Sequence, residues 1–207
     1  MLSPHAGTAL VPLCGVSVRL ALQGLISSEI YSNYVQEHLA PSGYLKIPTD
    51  IPAYLKGCTF LPQLNNELAG KRNSTYKERF SSLENLMLIM FEHDTVLMPK
   101  ETSFFGYYPY GSFNAVLPTQ QRCKFMAYVC AMQTQLYTED WIGLKTLDEA
   151  GKVKFINVSE GHLDISHSDM KTYVVSYLKD EASTPLTTAG SSSSHTWLSS
   201  MWNFSRS

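Results

Sequence analysis

The chain has 207 residues, 44% of them hydrophobic and only 16% charged, with 16 Lys+Arg against 18 Asp+Glu and a formal charge of -2. That supplies apolar material for one domain, or one domain and a fragment, and no basic excess with which to neutralise nucleic-acid phosphates. No run approaches the ~18 uncharged apolar residues of a membrane span, Met1-Leu2-Ser3-Pro4-His5 lacks the features of a secretion signal, and Cys14, Cys58, Cys123 and Cys130 include no C-x2-C pair, against both a disulfide scaffold and a structural zinc site.

In chain order, residues 28–39 read as a helix with Ile30, Tyr34 and Leu39 facing inward, stopped before Pro41-Ser42-Gly43. Residues 44–64 interleave Pro48, Pro52 and Pro62 with Leu45, Ile47, Ile51, Tyr54, Leu55, Phe60 and Leu61, a density of proline that forbids a central strand or a long helix. Such a winding apolar segment is either a cap over a site or a surface loop tucked onto the core. Asn73-Ser74-Thr75 then predicts a helix start, with Tyr76, Phe80 and Leu83 on one face.

Leu86-Met87-Leu88-Ile89-Met90-Phe91 is apolar throughout, the pattern of a strand covered on both faces. Thr138-Glu139-Asp140 predicts a second helix start, followed by Trp141, Leu144 and Leu147, with Gly151 suited to the left-handed position after the helix. Residues 153–158 read as a second buried strand, on Val153, Phe155, Ile156 and Val158, and Ser168-Asp169 as the cap of a helix carrying Tyr173, Val174, Tyr177 and Leu178. Helix–strand alternation predicts part of an α/β sheet. From residue 181 to the end, 13 of 27 residues are Ser or Thr, which reads as a disordered tail in which Trp197, Trp202 and Phe204 are stray aromatics.

In an open α/β sheet, sites form beyond the carboxyl ends of the strands. Glu92-His93-Asp94 follows the first strand and Ser159-Glu160-Gly161-His162 the second. An acid and then a histidine in that order match the last two members of a Ser…Asp…His triad. The histidine takes a proton from a serine hydroxyl, and the acid fixes its tautomer and stabilises the imidazolium. Gly161 would let backbone approach such a site closely. Glu92, His93 and Asp94 are metal-ligand types too, but consecutive residues at a strand end point to alternate faces, so no metal is expected there, and acyl transfer through a serine would need no cofactor.

Whole words of the chain resemble the palmitoyl-protein thioesterase family in its plant version. They are the run 55–67, Thr75-Tyr76-Lys77, Leu83-Glu84-Asn85-Leu86, Glu92-His93-Asp94-Thr95-Val96, Thr102-Ser103-Phe104-Phe105-Gly106-Tyr107-Tyr108, Leu136-Tyr137-Thr138-Glu139-Asp140-Trp141-Ile142-Gly143-Leu144-Lys145 and Glu160-Gly161-His162-Leu163. The resemblance covers about residues 4–16 and 26–180. It implies an α/β-hydrolase fold and hydrolysis of the thioester between a long fatty acyl group and protein cysteine. Asp94 becomes the triad acid and His162 the base, and the Pro-interrupted segment joins the insertion that shapes the family's lipid groove. Partners would be S-acylated proteins or acyl thioesters, and the location a lysosome, a vacuole or the exterior. His5 would line the mouth of the site or be simply exposed.

On the same comparison Pro4-His5-Ala6-Gly7-Thr8 matches a segment that follows the nucleophile strand, so the G-x-S-x-G elbow is expected before Met1 and the fold is expected to be incomplete. The expected divisions are 1–8, the end of an N-terminal core; 9–84, the cap; 85–180, the C-terminal core; and 181–207, the tail. No G-x-S-x-G occurs in the sequence, and Gly15-Val16-Ser17-Val18-Arg19, with Arg where close packing wants Gly, makes Ser17 a poor nucleophile. Residues 122–132 read as an insertion relative to the family, with Cys123 and Cys130 as two free thiols, and Cys14 lacks its family partner. His38, His167 and His195 read as surface residues. Asn73-Ser74-Thr75 fits an N-glycosylation acceptor, as do Asn157-Val158-Ser159, expected to be inaccessible in its strand, and Asn203-Phe204-Ser205. The rival to a thioesterase is a non-catalytic acyl-binding or interaction fragment that keeps the groove and does no chemistry.

Overall fold

The computed structural model describes residues 4–9, 29–113 and 134–178. Cys14, Ser17, Cys123, Cys130, the insertion at 122–132, His195, Asn203 and the Ser/Thr-rich tail lie outside the described residues.

At the centre, β1 (Leu86–Phe91) pairs in parallel with β2 (Val153–Val158), in register from Leu86↔Val153 to Phe91↔Val158. The unbroken apolar run of β1 follows from its two covered faces. Successive side chains alternate, so Leu86 and Leu88 enter one cluster with Phe105, Leu136, Leu144, Leu147 and Val153. Ile89 and Phe91 enter another with Val158, backed by Ile165 and Val174. Each such side chain, fully buried, contributes about 1.5–3 kcal/mol. The outer end of β2 differs from expectation, since Asn157 is exposed and not inaccessible.

The helix before β1 is Ser74–Ser81, capped by Asn73, whose side chain accepts from Thr75 N. Of the predicted apolar face only Phe80 packs inward, edge-on to Phe105; Tyr76 and Leu83 remain 44% and 37% exposed. The helix before β2 is Leu144–Glu149. Thr138 does not cap it, because Thr138 ends a separate short helix, Gln135–Thr138. The N-cap position falls on Gly143, which has no side chain to offer, and Asp140 serves the first turn from three residues earlier: its Oδ1 accepts from Lys145 N at 2.9 Å and its Oδ2 accepts from Thr146 Oγ1 at 2.6 Å and from Lys77 Nζ at 2.9 Å. Burial pushes this carboxyl up, but the bonds from Thr146 and Lys77 outweigh it and hold it below the usual range. Gly151 takes the left-handed conformation expected of it, at φ +72°.

After β2 the cap is Ser166 rather than Ser168, with Ser166 Oγ accepting from Asp169 N at 3.0 Å. The helix does not continue regularly. His167–Asp169 passes into a π turn, Met170–Val174, and a 3₁₀ turn, Val175–Tyr177, which leaves Leu178 75% exposed.

The 29–72 region is built of short turns. Ser32 caps a helix at Asn33–His38, later than the sequence pattern suggests, and this resets the phase. Ile30 is buried, but Tyr34 and Leu39 are 72% and 46% exposed, and Tyr34 stacks on His38. The buried roles pass to Tyr31 and, in part, Val35. Pro52 and Pro62 sit in the first turns of two short helices, Ile51–Gly57 and Leu61–Leu64, where a missing N–H leaves no bond unmade. The segment forms its own cluster around Tyr54 and Leu61, with Cys58 a free, buried thiol donating to Gly43 O.

Residues 4–9 tie this region to the sheet. Thr8 N donates to Tyr44 O and Lys46 N to Thr8 O, a parallel bridge of Thr8 with Leu45. Ala9 N and Thr8 Oγ1 both donate to Met98 O, in the loop that follows β1.

Candidate active site

The parallel register carries the ends of β1 and β2 to the same side. Beyond Phe91 the ladder runs on for one more bond, Glu92 N to Val158 O at 2.8 Å, and His93 N donates to Glu160 O at 3.2 Å. The chain then turns at Asp94. Its Oδ1 accepts from Val96 N at 2.8 Å and Leu97 N at 2.9 Å. Those two backbone donors fix the carboxylate and leave Oδ2 for His162 Nδ1, 2.8 Å away. The Asp94 side chain is 1% exposed and that of His162 28%, so the acid is sealed while the ring reaches solvent.

A carboxylate bonded to Nδ1 holds the ring proton there and makes Nε2 the basic nitrogen. This arrangement can accept a proton at one outward nitrogen and stabilise the cation that results. Among the described residues no group of three His, Cys, Asp or Glu side chains is placed to hold a metal ion. Glu92 and His93 turn elsewhere: Ser159 Oγ donates to Glu92 Oε2 at 3.4 Å, and His93 Nδ1 lies 2.6 Å from Ser159 O. Gly161 is not needed for a close approach, since a Cβ placed there meets nothing within 4 Å. Lys100 Nζ donates to Glu92 O at 2.7 Å, closing the loop that bears Asp94.

The Pro-interrupted segment borders two cavities, neither of which is lined by Asp94 or His162. One, of about 470 Å³, is a mainly apolar groove between Leu61 and Leu64 on one side and Phe80, Leu83 and Ile142 on the other. His5 lies along it and is not exposed on the surface: it is 8% exposed, stacked on Phe105 at 4.7 Å, and among the described residues its Nε2 has no partner. Burial pushes its pKa down to about 4. His38 and His167 are exposed, as the sequence suggests.

The second cavity, of about 270 Å³, is walled by Phe105, Tyr107, Tyr108, Tyr110 and Trp141 over Lys46 and Glu67. Those two form an ion pair at 2.8 Å with side chains 7% and 2% exposed. Tyr54 Oη donates to Glu67 Oε1 at 3.1 Å and Tyr107 Oη to Lys46 O, while the Lys46 ammonium lies 5.1 Å and 5.2 Å from the centres of the Tyr54 and Tyr107 rings. Burial, and then the Glu67 carboxylate, push the Tyr54 hydroxyl well above its ordinary pKa. Sequence reasoning missed this pair. The available signal was a charge between two apolar neighbours, Leu45-Lys46-Ile47, in a segment otherwise read as apolar.

A parallel strand pair delivering a sealed carboxylate and a solvent-reaching imidazole to one end defines a mixed α/β protein. Residues 1–162 match the family model described as palmitoyl protein thioesterase. The chain is 34% identical over 166 residues to palmitoyl-protein thioesterase 1 of Caenorhabditis elegans, covering 79% of this chain and 51% of the relative. It is 37% identical over 134 residues to palmitoyl-protein thioesterase 3 of Dictyostelium discoideum, covering 65% and 42%. A protein of Drosophila melanogaster named lysosomal thioesterase PPT2 homolog is 30% identical over 125 residues, covering 60% and 38%. The chain belongs to the palmitoyl protein thioesterase family, whose fold is that of α/β hydrolases. It spans about half the length of the relatives it matches, or less.

Proposed function

We propose that the chain carries the acid and the base of a thioester hydrolase that removes long-chain acyl groups from protein cysteines, with Asp94 and His162 in those roles. The single observation that supports this most is the 2.8 Å bond between a carboxylate held by two backbone N–H groups and a half-open imidazole. In the reaction, His162 Nε2 takes the proton of a serine hydroxyl as its oxygen bonds to the thioester carbonyl carbon. The C–S bond then breaks, and the imidazolium returns the proton to the cysteine sulfur. Water, deprotonated by the same nitrogen, attacks the acyl-serine, and the serine recovers its proton as the fatty acid leaves. Asp94 orients the ring and stabilises its cation throughout. The serine belongs to a G-x-S-x-G elbow, which these 207 residues do not contain.

On this reading the two-stranded sheet is the C-terminal part of a larger hydrolase sheet, 85–180 is core, 9–84 is the cap and 1–8 the end of the preceding core. The substrates are S-acylated proteins, and the place of action is a lysosome, as the name of the Drosophila relative says of that protein. The experiment is palmitoyl-thioester turnover by the gene product that includes the elbow. Asp94→Asn should lower kcat by about 10⁴-fold, and His162→Ala by a similar factor. Turnover untouched by both substitutions would overturn the assignment. A second reading, acyl binding without turnover, draws on the apolar groove of about 470 Å³; acyl-chain binding by a gene product that lacks any turnover would select it.

A further inference from the structure

We propose that the cavity of about 270 Å³ beside Lys46 and Glu67 is a binding site for a small neutral ring compound carrying one carboxamide or ketone group. Its walls are held by the protein's own bonds. Tyr107 Oη donates to Lys46 O, and the Tyr107 ring meets that of Tyr108 edge-on at 5.7 Å. Trp141 Nε1 donates to Glu139 Oε2 at 2.7 Å, its carbonyl accepts from Asn66 Nδ2 at 3.0 Å, and the Arg72 guanidinium lies 4.8 Å from its ring centre. Glu67 is satisfied too, with Lys46 on Oε2 and Tyr54 and Asn65 on Oε1. Small-molecule sites are built this way: preformed, mostly apolar, with a few placed polar groups.

Two polar groups lining the cavity are not satisfied. Thr134 is 9% exposed, and among the described residues its Oγ1 has no partner. It stands at the N-cap position of Gln135–Thr138, where a threonine hydroxyl commonly accepts from a helical N–H. Here the hydroxyl makes no such bond, and the Thr134 carbonyl takes Tyr137 N and Thr138 N instead, both at 3.0 Å. The Lys46 ammonium carries three N–H donors. Among the described residues Glu67 Oε2 is its one oxygen acceptor, and it otherwise meets only the faces of Tyr54, Tyr107 and Tyr110. A buried polar group without a partner lowers stability. A hydroxyl and spare ammonium N–H groups kept on one cavity therefore ask for a partner from outside the chain.

Charge and walls together define that partner. Lys46 and Glu67 both line the cavity and neutralise each other, so an anion would meet Glu67 and a cation Lys46, each leaving water for a counter-ion already taken. A neutral carbonyl oxygen accepts from Lys46 without that cost, and Thr134 Oγ1 takes an amide N–H or gives its own proton. The five aromatic walls suit ring faces and edges. A hydroxyl-rich ring brings more polar atoms than the buried part of the cavity serves, since Gln135 and Tyr110, the further polar side chains there, are exposed. Neither Asp94 nor His162 lines the cavity, so such a ligand would bind whether or not the chain takes part in thioester hydrolysis.

The test is titration of the 207-residue chain with benzamide, followed by NMR at the indole N–H of Trp141 and the methyl group of Thr134. Both signals should shift and saturate together. Benzoate and benzylammonium, the charged counterparts, should bind at least about tenfold more weakly. Thr134→Val keeps the shape and removes the hydroxyl. It should weaken benzamide about 2- to 10-fold and leave toluene, which makes no hydrogen bond, unchanged. Its thermal midpoint should not fall, because the hydroxyl it removes has no partner to lose. Benzamide that moves neither signal, benzoate that binds as well as benzamide, or a Thr134→Val change that affects toluene and benzamide alike would overturn the proposal. A lower midpoint for Thr134→Val would also count against it, by showing that the hydroxyl already has a partner.

Discussion

Replacing Lys46 by Met would strand one of the least exposed charges in the molecule. Glu67 has a side chain 2% exposed, with Oε2 facing the Lys46 ammonium at 2.8 Å and Oε1 accepting from Tyr54 and Asn65. With the ammonium gone, two neutral donors remain for a buried anion. Breaking a buried pair from one side costs about 3–5 kcal/mol, a large share of the ~5–15 kcal/mol that keeps a domain folded. The reverse substitution, Glu67→Gln, should cost less, about 1–3 kcal/mol, because the ammonium keeps the faces of Tyr54, Tyr107 and Tyr110, 5.1, 5.2 and 5.8 Å away, and an amide oxygen. Removing both charges, as in Lys46→Met with Glu67→Gln, should recover stability relative to Lys46→Met, since no charge is left unpaired. Urea unfolding followed by far-UV circular dichroism measures all four proteins. The expected pattern is a lower midpoint at unchanged slope for the single variants and non-additivity above about 1 kcal/mol in the cycle. A Lys46→Met loss under about 1 kcal/mol, or strict additivity, would refute the reasoning.

The buried His5 predicts a pH dependence of stability. Its pKa is about 4 in the fold against an ordinary 6.5, so between those values the unfolded chain holds the extra proton. Stability should be full above about pH 6.5 and fall on acidification towards pH 4, by at most about 1.4 kcal/mol per pH unit. His5→Phe, which keeps the stack on Phe105, should flatten that slope, and an unchanged slope in titrated urea melts would contradict the assignment. Gly57→Ala should destabilise by about 1–3 kcal/mol, because the added Cβ would lie 2.6 Å from Tyr31 Cβ and 2.7 Å from Tyr31 O; a wild-type thermal midpoint would contradict it. The 207-residue chain by itself should hydrolyse palmitoyl thioester at no more than background, and a serine-linked acyl intermediate trapped on it would overturn that expectation.

The parts legible in the sequence share a physical feature: they depend on neighbours close in the chain or on an unbroken pattern. β1 and β2 are apolar runs whose bounds follow from where the apolar residues stop, and Asp94 and His162 lie just past those ends, so the parallel pairing brings them together. The prolines at 52 and 62 correctly forbid long elements, and Asn73 caps its helix by a bond two residues long. Legibility fails where a local signal competes with another. Ser32 wins its cap from residues a few positions away, and that change turns the helix face, which is why Tyr34 is exposed; before Leu144–Glu149 the cap position falls on Gly143, and Leu144 and Leu147 stay buried as their spacing predicts. It fails also where partners are distant. Glu67 lies on a different turn from Lys46, and Phe105 stacks on a histidine from the other end of the described chain; no periodicity in either segment encodes such a meeting.

The measurement closest to the central claim is the tautomer of His162, read by nitrogen-15 NMR of the imidazole in the 207-residue chain at neutral pH. The expected result is a proton on Nδ1, slowed in exchange by the bond to Asp94, and an unprotonated Nε2 ready to act as base. Asp94→Asn should abolish that signature. A ring protonated at Nε2, or spectra of His162 that are the same with and without the Asp94 carboxylate, would contradict it.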